Sequence, residues 1–300
     1  MKQILMALLC VTSLFARAAD FIDDSARRHA FATPPQRVAT LAPSLTELVY
    51  AAGAGSRLVA TVIGSDYPPE ARAVPSVGDY QRVDVERLLR LKPDVVLVWT
   101  SGNSQRELAQ LVSAGVPVVH LEPRRLDDVA RAIERLGELF GTADTARPRA
   151  QALREELAAL GREFANKPPV SVFYQVWSRP LLTLNDQHLV SDVIRLCGGR
   201  NVFGSLSTLV PEVSTESVLA AKPEAILSAR LSAAGGEATM RREPQAEPFV
   251  TWRSLDKALP AARYGWLFTI PGDEISRQGP RIGAGARAVC AALAQVRLER

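Results

Sequence analysis

Short apolar runs alternate along most of this chain with segments whose apolar residues recur three and four positions apart. In the first half, Arg37–Leu41, Leu58–Ile63, Val95–Val98 and Pro117–Leu121 read as buried strands. Segments from Pro43 to Ala52, Ser104 to Ala114 and Asp127 to Phe140 read as helices between them. From Asp144 to Asn166 the pattern changes to one long helix, with Ala146, Ala150, Leu153, Leu157, Leu160 and Phe164 on a single stripe and Pro148 near its first turn. The alternation then restarts with a strand at Val170–Gln175, a helix at Ser191–Leu196, a helix near Trp252–Ala258, a strand at Tyr264–Thr269 and a final helix carrying Cys290.

One stretch is written twice. Val83 to Val98 and Val213 to Ser228 align without a gap at a separation of 130 residues, matching Glu86 with Glu216 and Lys92-Pro93 with Lys222-Pro223. Asp84 and Ser214 suit an N-cap, and each glutamate stands in the first turn near the helix's partial positive charge. Lys-Pro ends the helix, and the apolar run behind it makes a strand. A period this long implies two similar domains rather than a solenoid of short units. The fold class expected is α/β: two Rossmann-like lobes with central parallel sheets, joined by one long α-helix. The divisions are 1–18 as a leader, 19–142 as the first lobe, 143–167 as the linking helix and 168–300 as the second lobe. A helix is a stiff connector, so small lobe motions are expected.

Composition changes this picture little: 47% hydrophobic and 23% charged residues are ordinary for a globular protein. Met1-Lys2-Gln3, the apolar stretch Ile4–Phe15 and Ala16-Arg17-Ala18 fit a secretory signal cleaved after Ala18. The apolar stretch falls short of the ~20 residues that cross a bilayer, so no membrane insertion of the mature chain is expected. Leu9 before Cys10 is bulky where a lipidation site needs a small residue. Removing residues 1–18 lowers the formal charge from +4 to +2, which gives no case for a nucleic-acid partner. Cys197 and Cys290 then remain, and an even pair in an exported chain favours a disulfide, although spacing alone does not bring two sulfurs together.

Enzyme signatures are missing: there is no phosphate-loop string, no His-Glu-x-x-His and no Gly-x-Ser-x-Gly. His29, His120 and His188 are too scattered for a metal cluster, so neither a metal nor a cofactor is expected. Ser44 and Glu47 have the spacing of a capping box, and Gly64–Pro69 reads as a loop stiffened by two prolines. Glu134 and Glu138 beside Arg131 and Arg135 read as a solvated charged face. Tyr67, Tyr80, Trp99 and Trp177 all fall at strand ends or in the loops behind them, where open α/β sheets bind ligands.

Several motifs together resemble the periplasmic cobalamin-binding proteins of bacterial ABC importers, substrate-binding proteins of the single-helix-linked type. They are Pro43-Ser-Leu-Thr-Glu47, Ser65-Asp-Tyr-Pro-Pro69, Glu86 to Trp99, Cys197-Gly-Gly-Arg-Asn-Val-Phe203, Val213 to Pro223 and Pro280-Arg281. The resemblance implies a non-enzymatic binder in the periplasm that holds vitamin B12 between its lobes and delivers it to a permease dimer with its ATPase subunits. It places Tyr67, Tyr80 and Trp99 against the corrin from the first lobe, with Asp273 and Arg277 on its amides. It also implies the Cys197–Cys290 disulfide, and gives Glu86 and Glu216 the task of docking on the two permease subunits. Leu182 and Val210 stand where the family has second-lobe aromatics, and Tyr80 where a tryptophan is typical, which leaves Trp177 as the candidate substitute. The nearest alternative is a ferric siderophore- or haem-binding protein of the same fold.

Overall fold

A computed structural model describes residues 19–230 and 247–300. The expected leader with Cys10, and most of the Gly-rich charged stretch from Ala233 to Pro248, lie outside the described residues. The first lobe opens with a hairpin, β1 (Ala19–Ile22) and β2 (Arg28–Phe31). It continues through β3 (Val38–Thr40), α1 (Pro43–Ala51), β4 (Leu58–Ala60), α2 (Val85–Arg90), β5 (Val95–Trp99), α3 (Gln105–Ser113), β6 (Val118–Leu121) and α4 (Leu126–Phe140). The sheet is parallel throughout, in the order β4-β3-β5-β6.

Helix α5 (Ala143–Phe164) leads to the second lobe, and its 22 residues span about 33 Å. There follow β7 (Val170–Gln175), a small hairpin of β8 (Trp177–Ser178) and β9 (Leu181–Leu182), α6 (Leu189–Leu196), β10 (Gly199–Asn201), α7 (Thr215–Ala221) and β11 (Ala225–Arg230). Short helices α8 (Val250–Arg253) and α9 (Pro260–Arg263), β12 (Leu267–Pro271), α10 (Gly272–Ile275) and α11 (Ile282–Leu298) complete the chain. This sheet is also parallel, in the order β10-β7-β11-β12. Each lobe pairs its first core strand with its second on one side and its third on the other, so the sequence repeat extends to topology.

The repeat also has a shared local chemistry. Asp84 accepts from the Arg87 amide at 2.9 Å and Ser214 from the Ser217 amide at 3.2 Å, so both expected N-caps form. Lys92 and Lys222 stop their helices with φ of 48° and 46°, a left-handed conformation rare outside glycine. The acid after each Lys-Pro then reaches back to its sheet's first core strand. Asp94 Oδ2 accepts from the Gln36 and Arg37 amides at 2.8 Å, and Glu224 Oε2 accepts from the Ser171 amide at 2.8 Å. One motif thus ends a helix, starts a strand and ties that strand to its neighbour.

One element is added and three readings change. The lead before β3 contains the β1–β2 hairpin, whose turn is held by Asp23 and whose Asp24 amide donates to His120 O at the edge of the sheet. Pro69 begins a 3-10 helix through Ala73, because proline is tolerated at the first helical position. Ser44 and Glu47 form no capping box: α1 is capped at Ala42 without a side-chain bond, and Glu47 is engaged elsewhere. The charged face of α4 is only partly solvated, since Glu134 accepts two hydrogen bonds from Arg154 of α5 and Arg135 reaches Asp24 of the hairpin.

A single apolar cluster runs from Val38 and Leu48 in the first lobe, through Leu153, Leu157 and Phe164 of α5, to Val193 and Leu293 in the second. Glycine permits one close approach inside it: a Cβ at Gly285 of α11 would lie 2.7 Å from the backbone oxygen of Glu274. Cys197 at the end of α6 is bonded to Cys290 within α11, both buried, across a separation of 93 residues. Closing a loop of that length restricts the unfolded chain by about 4.6 kcal/mol in the chain-entropy picture. The double variant Cys197→Ala/Cys290→Ala is therefore expected to lose about 2–4 kcal/mol of unfolding free energy, read from urea titrations in which midpoint and slope are both fitted, the slope rising as the unfolded chain expands. Equal unfolding free energies for the variant and the oxidised parent would refute this.

Candidate functional site

In a sheet of this order the crevice for a ligand lies beyond the carboxyl ends of the strands, where the connections diverge: between β3 and β5 in one lobe, and β7 and β11 in the other. The loops at these ends meet across the lobes. Glu47, on the helix after β3, is 1% exposed and receives Arg281 as a bidentate partner, with Nε–Oε2 at 3.0 Å and Nη2–Oε1 at 2.7 Å. Arg277 donates through Nη1 to Glu47 at 3.0 Å and to Asp66, behind β4, at 2.9 Å, while its Nη2 lies 2.8 Å from Asp273. Burial pushes the Arg281 pKa down, but the hydrogen bond and charge of Glu47 outweigh it and hold the pKa above its usual value. A second bridge joins Arg125, behind β6, to Asp192 in the first turn of α6 at 2.9 Å.

Among the residues expected at the site, Tyr67 is 43% exposed, with the Arg281 guanidinium 4.4 Å from its ring centroid. Tyr80 and Trp99 pack together at 5.9 Å between centroids, tilted by 49°. Burial, with the charge of Asp79, raises the Tyr80 pKa, so its hydroxyl stays neutral. Gly102 is what lets the chain fold back over the indole, because a Cβ there would sit 1.8 Å from a ring carbon of Trp99. In the second lobe, Trp177 pairs with Leu182 across the β8–β9 hairpin, so the two share one of its faces, and Val210 is 37% exposed. Asp273 and Arg277 stand together in the ion-pair cluster just described. Glu86 and Glu216 take no part in this cluster: they are exposed in the first turns of α2 and α7, and among the described residues neither forms an ion pair. The hydrogen bond from its own backbone amide, helped by Ser214, lowers the Glu216 pKa.

Four participants escaped the sequence reading of the site: Glu47, Asp66, Arg281 and Asn103. Asn103 is buried and accepts from the Trp99 amide at 2.7 Å while donating to Leu41 O at 2.8 Å and Tyr80 O at 2.7 Å. It pins the two aromatic loops to the end of β3. Its signal was the Gly102-Asn103 pair in the turn behind the tryptophan-bearing strand, residue types that favour turns. For Glu47 and Arg277, 230 residues apart, no local spacing carries a signal. The histidines take other roles. His29 bonds Asp23 at 2.9 Å, His120 lies beneath the hairpin with its pKa lowered by burial, and His188 caps α6 with its pKa pushed down to about 4 by burial.

Comparison with known proteins agrees with this architecture. A vitamin B12-binding protein of Photorhabdus laumondii is 36% identical over 262 residues, covering 87% of this chain and 89% of the relative. One of Vibrio cholerae is 33% identical over 257 residues, covering 86% and 88%. The crystal structure of the periplasmic vitamin B12-binding protein BtuF of Vibrio cholerae superposes with a TM-score of 0.76 at 32% identity, covering 88% of this chain and 98% of that one. The periplasmic haem-binding protein HutB of Vibrio cholerae shares the fold, with a TM-score of 0.72 at 21% identity over 86% and 98% of the two chains. Residues 38–273 match the periplasmic binding protein family, and the chain belongs to that family.

Proposed function

We propose that this protein is a periplasmic carrier that captures vitamin B12 in the interlobe cleft and delivers it to an ABC importer. The observation that carries the reading is the Tyr80–Trp99 wall at the switch point of the first sheet, held by Asn103, in a chain whose relatives at 33–36% identity are named vitamin B12-binding proteins. A corrin is a broad, partly apolar ring, and flat aromatic faces at the mouth of a cleft suit it. Tyr67 extends the first-lobe surface. Trp177, paired with Leu182, supplies the second lobe with an indole where the family aromatics are replaced by Leu182 and Val210. Asp273 and Arg277 offer an acceptor and a donor to ring-edge amides. Export through the leader over residues 1–18 places the carrier in the periplasm, and its role is binding rather than catalysis.

Haem or a ferric siderophore is the alternative ligand class, since the fold accommodates haem in relatives of lower identity. An anionic ligand would need free cations in the cleft. Here Arg277 and Arg281 are already neutralised by Glu47, Asp66 and Asp273.

Delivery follows from the repeat. A two-lobed protein with Glu86 on one lobe and Glu216 on the other presents like charges to a partner built from two similar subunits, which sets register and speeds encounter.

Titration with cyanocobalamin, followed by heat release or retained corrin absorbance, is expected to show binding at micromolar ligand or below, with haemin excluded. Uptake of haemin or a ferric siderophore in its place would overturn the ligand assignment. Trp99→Ala is expected to weaken cyanocobalamin binding by about thirtyfold, equivalent to about 2 kcal/mol, without a comparable change in melting temperature. Charge reversal at both glutamates, Glu86→Lys with Glu216→Lys, is expected to abolish uptake in a reconstituted importer and leave cyanocobalamin affinity intact. A parallel fall in affinity would refute the docking role.

A further inference from the structure

One residue beyond the aromatic wall, a cavity of about 550 Å³ opens at the carboxyl ends of β5 and β6. Trp99 and Leu121 are the last paired residues of these strands, and Thr100 and Glu122 follow them directly. Both line the cavity, together with Asp24 of the hairpin turn and Arg124, Arg131 and Arg135.

The hydrogen bonding here is incomplete in a particular way. Arg131 is engaged by Asp128, and Arg135 by Asp24 and the backbone oxygen of Ile22. The Glu122 side chain is only 4% exposed, and its Oε1 accepts from Ser101 Oγ at 2.8 Å. Its Oε2 is buried without a hydrogen-bond partner, as is Thr100 Oγ1. The nearest cation to Oε2, Arg124 Nη2, stands at 3.7 Å, too far for a hydrogen bond. A buried carboxylate oxygen lacking a donor is costly, so the group that completes this site brings N–H donors. A ligand carboxylate in the same place would bring only acceptors and a charge like that of Glu122. A neutral primary carboxamide supplies the donor for Glu122 and a carbonyl able to accept from the Thr100 hydroxyl.

We infer that Thr100 and Glu122 form a carboxamide-recognition subsite of the cleft, selecting amidated corrinoid side arms over the corresponding carboxylates. The inference rests on the corrinoid reading and adds to it a residue-level basis for specificity. Selection of this kind works by repulsion of the wrong ligand as much as by attraction of the right one.

The test uses the full mature chain with cyanocobalamin and its b-, d- and e-monocarboxylic acids, each with one side-arm amide hydrolysed, by calorimetric titration at pH 7. The wild type is expected to bind at least one monocarboxylate about tenfold more weakly than cyanocobalamin, and Glu122→Gln to narrow that gap to about threefold or less. Thr100→Val is expected to weaken cyanocobalamin about threefold to tenfold. An unchanged gap in a Glu122→Gln protein that melts like wild type overturns the subsite and leaves the corrinoid reading standing. If Glu122→Gln does not fold, the wild type decides: equal affinity for all four ligands overturns the subsite, and a gap together with the Thr100→Val loss supports it. A wild type that binds no corrinoid overturns the subsite and the reading beneath it.

Discussion

The Glu47 carboxylate is the constraint on which the arrangement of the two lobes depends. It is almost fully buried where the two lobes meet, and an ionised carboxylate there is tolerable only with cations held in good geometry. Both cations, Arg277 and Arg281, come from the opposite lobe, behind β12. Separating the lobes would strand a charge in a poorly solvated place. The Arg125–Asp192 bridge and the unbroken apolar cluster along α5 act in the same direction. Such a scaffold accommodates a ligand by small adjustments of loops rather than by wide closure, the behaviour expected of two lobes on a single stiff helix.

The internal repeat supplies the second organising principle. Asp94 and Glu224, each directly behind a Lys-Pro stop, anchor the first core strand of their own sheets. This bond fixes the register between the first and third strands, and that is the boundary at which the connections diverge. Duplication of a short motif therefore positions both halves of the cleft. The same copies leave Glu86 and Glu216 equivalently placed and exposed, so one piece of sequence serves the crevice through its strand and the outer surface through its helix.

Much of this was legible in the chain itself. The two N-caps, the stripe on α5 and the strand–helix alternation are local patterns, and local patterns survive folding when nothing distant competes with them. Glu47 marks where that reasoning ends. Its spacing from Ser44 satisfies a capping box, but a bidentate arginine from the other lobe is a stronger partner than one backbone amide, and tertiary structure overrides the local choice. The β1–β2 hairpin was missed for a related reason. Its strands are short and lack clean alternation, and they are stabilised by Asp23 and Asp24 accepting from the amides of His120 on β6 and Glu122 just behind it, about a hundred positions away. Trp99 stands out in the sequence as an aromatic residue ending a buried run, whereas Asn103, which holds it, is an ordinary turn residue until its three partners are seen.

The electrostatics of the cleft follow from these same contacts. A corrinoid presents a ring whose edge bristles with neutral amides, while haem presents carboxylates, so the two ligands ask opposite things of the protein. Arginines whose charge is already taken up by Glu47, Asp66 and Asp273 cannot answer an anion without breaking the bridges that hold the lobes together. They can still lend an N–H to an amide carbonyl at the rim. The buried acceptor left open, Glu122 Oε2, asks for an N–H donor in return. Lobe cohesion and ligand choice are therefore linked: the ion pairs that fix the scaffold also take up the charge of Arg277 and Arg281, which a carboxylate-bearing ring would otherwise engage.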